Sequence, residues 1–225
     1  MKINFLGDSI TSGGGAGCVE NSYVSKFAEL TGFEVRRHGA GGTRIAKQRV
    51  PSSVAAWDED FQARALAMEE DADFVFVFGG TNDYGHGDAP LGTFDNKDPF
   101  TFYGGLRCLL EYLIATYGAE KLCFITPLHR FNEDDPKGEN GMKPQAVAPL
   151  SKYVEIIREV TAYYGVAIMD LYAENFLPLP TSDKGDEFTA DGLHPNANGH
   201  LRLAKRIAKY LADKESLCIN LSKTK

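Results

Sequence analysis

At 225 residues, with 43% hydrophobic and 24% charged side chains, the chain has the size and composition of a globular protein that can bury a core without disulfides or metal. The 31 acidic residues outnumber the 24 Lys and Arg, a net charge of -7, which argues against a surface that tracks nucleic-acid phosphates. No apolar run approaches the roughly 18–20 residues of a bilayer span.

Cys18, Cys108, Cys123 and Cys218 are scattered, without a metal-ligand spacing, and the N-terminus lacks a secretory pattern. The chain therefore reads as cytoplasmic, reduced and metal-free. The organisation expected is one domain over residues 1–213 and a short tail over 214–225. The locally basic stretch near the C-terminus is read as a solvated helix face.

In chain order, the apolar run Ile3–Leu6 predicts a first strand that leads directly into Gly7-Asp8-Ser9-Ile10. Apolar residues three and four apart over Tyr23–Leu30 predict a helix. Glu34–Arg37 predicts a strand that ends in Gly39-Ala40-Gly41-Gly42-Thr43. A helical pattern over Phe61–Met68 precedes Phe74–Phe78, which is apolar at every position and so should be covered on both faces. That strand runs into Gly79-Gly80-Thr81-Asn82-Asp83. Helix Phe102–Tyr117, strand Leu122–Thr126, helix Leu150–Tyr164, strand Val166–Leu171 and helix Leu201–Leu211 complete the alternation. Apolar strands separated by helices imply a doubly wound, five-stranded parallel sheet.

Three long polar stretches, 81–99, 127–144 and 172–191, each follow a predicted strand. In open α/β sheets ligands bind beyond the carboxyl ends of the strands, so these loops should wall a site. Ser9 lies where a turn can lift its hydroxyl from the sheet edge. The nucleophile-elbow pattern G-x-S-x-G is absent, because position 11 is Thr. The glycine block at 39–42 lets the backbone approach a ligand closely but matches no phosphate-loop pattern. Asn82 could give an uncharged donor to a developing oxyanion.

Asp191-Gly192-Leu193-His194 can bring a carboxylate to an imidazole within one turn, and Asp83-Tyr84-Gly85-His86 has the same spacing. Spacing leaves both histidines open. With strand order 2-1-3-4-5, Gly42 and Asn82 would flank Ser9. The last strand would lie about 14 Å away, a gap the long 172–191 loop can cross.

Gly-Asp-Ser-Ile at 7–10, the glycines at 39–42, Gly-Thr-Asn-Asp at 80–83 and Asp-Gly-Leu-His at 191–194 together resemble the SGNH (GDSL-type) hydrolases. Two positions depart from the pattern: Ile10 stands where Leu is usual, and Arg37 where the second block usually begins with Asn. The resemblance implies a flavodoxin-like three-layer α/β/α sandwich and an esterase that works through an acyl-enzyme without cofactor or metal. It makes Ser9 the nucleophile, His194 rather than His86 the base, and Asp191 the residue that orients it. The oxyanion donors would be the Ser9 and Gly42 amides and the Asn82 side chain. A histidine base predicts activity that falls on acidification.

The family includes lipases, thioesterases and carbohydrate O-deacetylases. The polar wall loops and the lack of an amphipathic lid helix point to a small acyl ester, an acetylated sugar being the expected partner. Tyr84, His86 and His129 are the candidate substrate-binding residues, with Phe94 and Tyr103 as further flat surfaces. The alternatives are a lysophospholipase or thioesterase, a non-catalytic carbohydrate-binding protein, and a flavodoxin-like nucleotide binder. Asp8 disfavours the last, because it stands where phosphate would sit.

Overall fold

Each of the five predicted strands forms. In the computed structural model, which describes residues 1–222 and side chains as far as Lys214, they form one parallel sheet. The strands are β1 (Lys2–Gly7), β2 (Glu34–Gly39), β3 (Phe74–Phe78), β4 (Leu122–Ile125) and β5 (Ala167–Met169), in spatial order β2-β1-β3-β4-β5. The helices are α1 (Ser9–Ser12), α2 (Tyr23–Thr31), α3 (Phe61–Ala65), α4 (Thr81–Gly85), α5 (Phe102–Tyr117), α6 (Leu150–Tyr163) and α7 (Ala197–Ser222). Helix α7 extends into the segment expected to be a tail, and residues 223–225 lie outside the described residues.

Alternation along the strands divides the core in two. Phe5, Phe74, Phe76 and Ile125 pack on one face with Tyr23, Phe27, Leu203 and Ile207 of α2 and α7. Leu6, Val75, Val77 and Phe124 pack on the other with residues of α3, α5 and α6. The result is a three-layer α/β/α sandwich. The helix ends follow local chemistry: Ser22 accepts from the Ser25 amide to cap α2, Thr101 accepts from the Gly104 amide to cap α5, and left-handed Gly32 closes α2.

The expected elements differ from the observed ones mainly at their ends. β5 has only three residues, because the Val166 and Leu171 amides turn to Thr161 and Met169 carbonyls. α3 stops at Ala65, where single turns carry the chain on through Met68. α7 begins four residues before the periodic run does. The short helices α1 and α4 are additions.

Register positions the site. Gly7 pairs with Gly39 on one side and Phe78 on the other, so the segments after β1, β2 and β3 leave the sheet at one level.

Candidate active site

Ser9 opens α1 immediately beyond β1. Asp8 caps that helix, its Oδ1 accepting the Ile10 amide at 2.9 Å. Burial raises the Asp8 carboxyl to about 6, against the lowering effect of that hydrogen bond and of His194, Arg64 and Arg130 nearby. As the first residue of α1, Ser9 has an amide with no helical acceptor.

His194 comes to Ser9 from the opposite end of the chain. Its Nε2 lies 2.9 Å from Ser9 Oγ, and its Nδ1 lies 2.7 Å from Asp191 Oδ2. The other Asp191 oxygen accepts the Leu193 and His194 amides at 3.0 and 2.7 Å. Partial burial acts to raise the Asp191 carboxyl, but the hydrogen bonds from the His194 amide and ring and the Leu193 amide outweigh it and hold it low. A carboxylate on Nδ1 places the ring proton there, which leaves the Nε2 lone pair for the serine hydroxyl. The loop is closed by the Thr189–Pro195 bridge and by the Ala190 amide on the His194 carbonyl.

The third wall comes from the segment after β2. Gly42 adopts φ +74°, and a Cβ there would lie 2.2 Å from Trp57 Cδ1, so only glycine fits. Among the described residues no carbonyl accepts the Gly42 amide. α4 clamps this segment: Asn82 Nδ2 donates to the Thr43 carbonyl at 3.0 Å, and both Asp83 oxygens accept amides, from Ile45 and Ala46, at 2.9 Å. From α3, Arg64 ties the segment to the sheet by donating to the Gly7 and His38 carbonyls and to Thr43 Oγ1. Ser9, Gly41, Gly42, Trp57, Asn82, His86, Glu139, Met142, Leu193 and His194 line one cleft of about 320 Å³.

Residues 5–202 match the model of the GDSL-like Lipase/Acylhydrolase family. The chain belongs to this family. It is similar to the crystal structure of a Lactobacillus plantarum protein at 30% identity and a TM-score of 0.76, covering 94% of this chain and 96% of that one. It is also similar to the lipase/acylhydrolase from Enterococcus faecalis, at 25% identity and a TM-score of 0.62, over 95% and 96% of the two chains. Est24, a carbohydrate acetylesterase from Sinorhizobium meliloti, shares the fold at 18% identity and a TM-score of 0.66, over 94% and 98%. No curated protein matches.

Within this GDSL-family cleft the second Asp-x-x-His is not a pair. Asp83 is taken up by the Ile45 and Ala46 amides, and His86 Nδ1 faces Arg44 NH1 at 3.0 Å. Burial and the adjacent Arg44 cation lower His86 to about 4, which keeps it neutral. Burial likewise raises Asp83 to about 6, opposed by its two amide donors and by Arg44 and Lys143.

Two expected wall residues lie elsewhere. Tyr84 is fully buried in the core, with its hydroxyl on the Asn132 carbonyl at 2.6 Å. Successive helical residues turn by about 100°, so Tyr84 points away from the side of α4 that carries Asn82, whereas His86 returns to it. His129 spends both ring nitrogens, on Glu133 Oε1 at 2.8 Å and the Tyr172 carbonyl at 3.0 Å, and the Glu133 hydrogen bond raises its pKa. Phe94 and Tyr103 pack on one another, and neither lines the cleft. Arg37, the departure in the second block, binds Ser22 and Ser25 of the α2 cap and does not line the cleft.

Other residues that shape the site have little sequence signal. A Cβ at Gly14 would meet His194 Cδ2 at 2.9 Å, and one at Gly15, φ +83°, would meet the Pro195 carbonyl at 2.4 Å. These glycines let α1 and the histidine loop touch. Buried His200 fastens that contact: its Nδ1 accepts the Tyr23 amide at 3.1 Å, and its Nε2 donates to the Gly14 carbonyl at 2.9 Å. The Gly13-Gly14-Gly15 run is the one mark of this contact in the sequence. Among the described residues, no group of three or more His, Cys, Asp or Glu could hold a metal ion, and no helix is long and apolar enough to cross a membrane.

Proposed function

We propose that the protein is a serine esterase for small acyl esters. The observation that carries this reading is the unbroken hydrogen-bond chain Ser9–His194–Asp191 at the edge of a cleft that also holds the Gly42 amide and Asn82. His194 Nε2 takes the hydroxyl proton as Ser9 Oγ attacks the ester carbonyl. The tetrahedral oxyanion is stabilised by the Ser9 and Gly42 amides and the second Nδ2 proton of Asn82, the first being held by Thr43. His194 then protonates the leaving alcohol. A water deprotonated by the same nitrogen attacks the acyl-enzyme, and Ser9 regains its proton from His194. Asp191 fixes the ring and stabilises its charged form. Asp8 shapes the turn and takes no proton in the cycle.

The wall beside the oxyanion donors supports a short acyl group. The Trp57 ring lies against Gly42 with its centroid 4.6 Å from that of His86, and narrows the space beside the oxyanion donors. His86 and Glu139 also line the cleft and bring it polar groups that an acetylated sugar could meet. An acetylated carbohydrate is also what one neighbour of the same fold, Est24, is named for.

Hydrolysis of p-nitrophenyl acetate, butyrate and octanoate by the wild-type protein tests the reading. Acetate should be turned over fastest, and a preference for octanoate would overturn the small-acyl assignment. No turnover of any ester, with no fluorophosphonate label on Ser9, would instead mean a binding protein.

A further inference from the structure

His86 has more to do than fill the wall. Its Nδ1 faces Arg44, whose guanidinium can only donate, so Nδ1 accepts and the ring proton sits on Nε2. Arg44 is held in turn: it is almost fully buried, and its NH2 donates to Ser52 Oγ at 2.7 Å and Asp58 Oδ1 at 2.6 Å. The ring is braced by Trp57 on one side. Among the described residues nothing is hydrogen-bonded to Nε2, and the same side chain lines the cleft with Ser9 and His194. Protonation is disfavoured by burial and by the Arg44 charge, so the ring keeps one tautomer around neutrality.

Glu139 supplies the complementary group. Its Oε2 accepts Arg130 NH2 at 2.7 Å, while no hydrogen bond falls on Oε1 among the described residues.

Building on the esterase reading, we propose that His86 is a specificity-determining residue whose fixed, neutral Nε2–H donates to a hydroxyl or ring oxygen of a polyol leaving group, with Glu139 accepting from a neighbouring hydroxyl. The cleft then selects esters of uncharged sugars over esters of hydroxyl-free alcohols.

The test compares kcat/KM for a methyl glucoside monoacetate with kcat/KM for p-nitrophenyl acetate. His86→Asn keeps an acceptor toward Arg44 but offers no donor at the Nε2 position, while His86→Gln places an amide donor there. The sugar-to-nitrophenyl ratio should fall about tenfold in His86→Asn and stay within about threefold of wild type in His86→Gln. A purely structural role predicts the reverse, with Asn preserving the ratio. A wild-type ratio in His86→Asn, or an equal fall in both variants, would overturn the proposal. So would wild-type protein that hydrolyses p-nitrophenyl acetate but not the glucoside ester, with the esterase reading left standing. Failure on p-nitrophenyl acetate itself would remove that reading and the proposal with it.

Discussion

Two Asp-x-x-His segments end up in one cleft and do opposite things. In the loop before α7, Asp191 turns back on its own neighbours, so both oxygens serve the Leu193 and His194 amides and the imidazole. On α4, Asp83 is buried and points at a segment with two free amides, so its oxygens go to Ile45 and Ala46. Its histidine is left to Arg44. A buried carboxylate goes to the donors that most need satisfying, and sequence spacing does not say which those are. In the proposed mechanism one carboxylate thus orients an imidazole to accept a proton. The other fastens the segment after Gly42, while an arginine faces its histidine.

The contrast is sharpest at the serine. Ser9→Ala or His194→Ala should lower kcat on p-nitrophenyl acetate by at least ~1,000-fold, whereas His86→Ala should cost less than about tenfold. A comparable loss in all three would dissolve the distinction between the two pairs. Asn82→Ala comes next, with kcat expected to fall by about 100- to 1,000-fold and KM to change little, in line with removal of one oxyanion donor. A change confined to KM would assign Asn82 to ground-state binding.

His200→Phe tests the support beneath the productive pair. It leaves the Gly14 carbonyl without its donor where Gly14 touches His194, and kcat should drop about tenfold as the ring loosens. Unchanged kcat would confine His200 to core packing.

The smallest effect belongs to Asp83 and is read by urea unfolding at pH 7 and pH 5. Its folded pKa, about 6, exceeds the unfolded reference of 3.8, so the folded protein binds the proton more tightly. This contribution to stability is full below the unfolded pKa and is lost as pH rises through about 6. On acidification from pH 7 to 5, wild type should therefore gain about 1 kcal/mol relative to Asp83→Asn. A relative loss would mean that the amide donors, not burial, govern this carboxyl.

The parts legible in the sequence were those set by short-range pattern. The Phe74–Phe78 run became β3 residue for residue, and the glycines and Asn82 at three strand ends met because parallel register brings those ends level. Distant loops hid the rest. Trp57, Glu139 and Met142 reach the cleft through segments without periodicity, and Arg44 acts there only through His86, its own place fixed by Asp58 fourteen residues away. Tyr84 leaves the cleft for a local reason: segment 81–85 folds as a helix, so Tyr84, two residues after Asn82, faces the opposite way. His129 is taken up by Glu133 and by the Tyr172 carbonyl, and the second partner, 43 residues further along the chain, has no local sequence signal.

The central claim, that the Asp191–His194 pair and not Asp83–His86 activates Ser9, is tested most directly by the rate of fluorophosphonate labelling, with the modified residue located by peptide mass mapping. Wild type and His86→Ala should label on Ser9 at rates within about tenfold of each other, and His194→Ala should label at least ~100-fold more slowly. Fast labelling in His194→Ala with slow labelling in His86→Ala, or a label on any residue other than Ser9, would contradict the account.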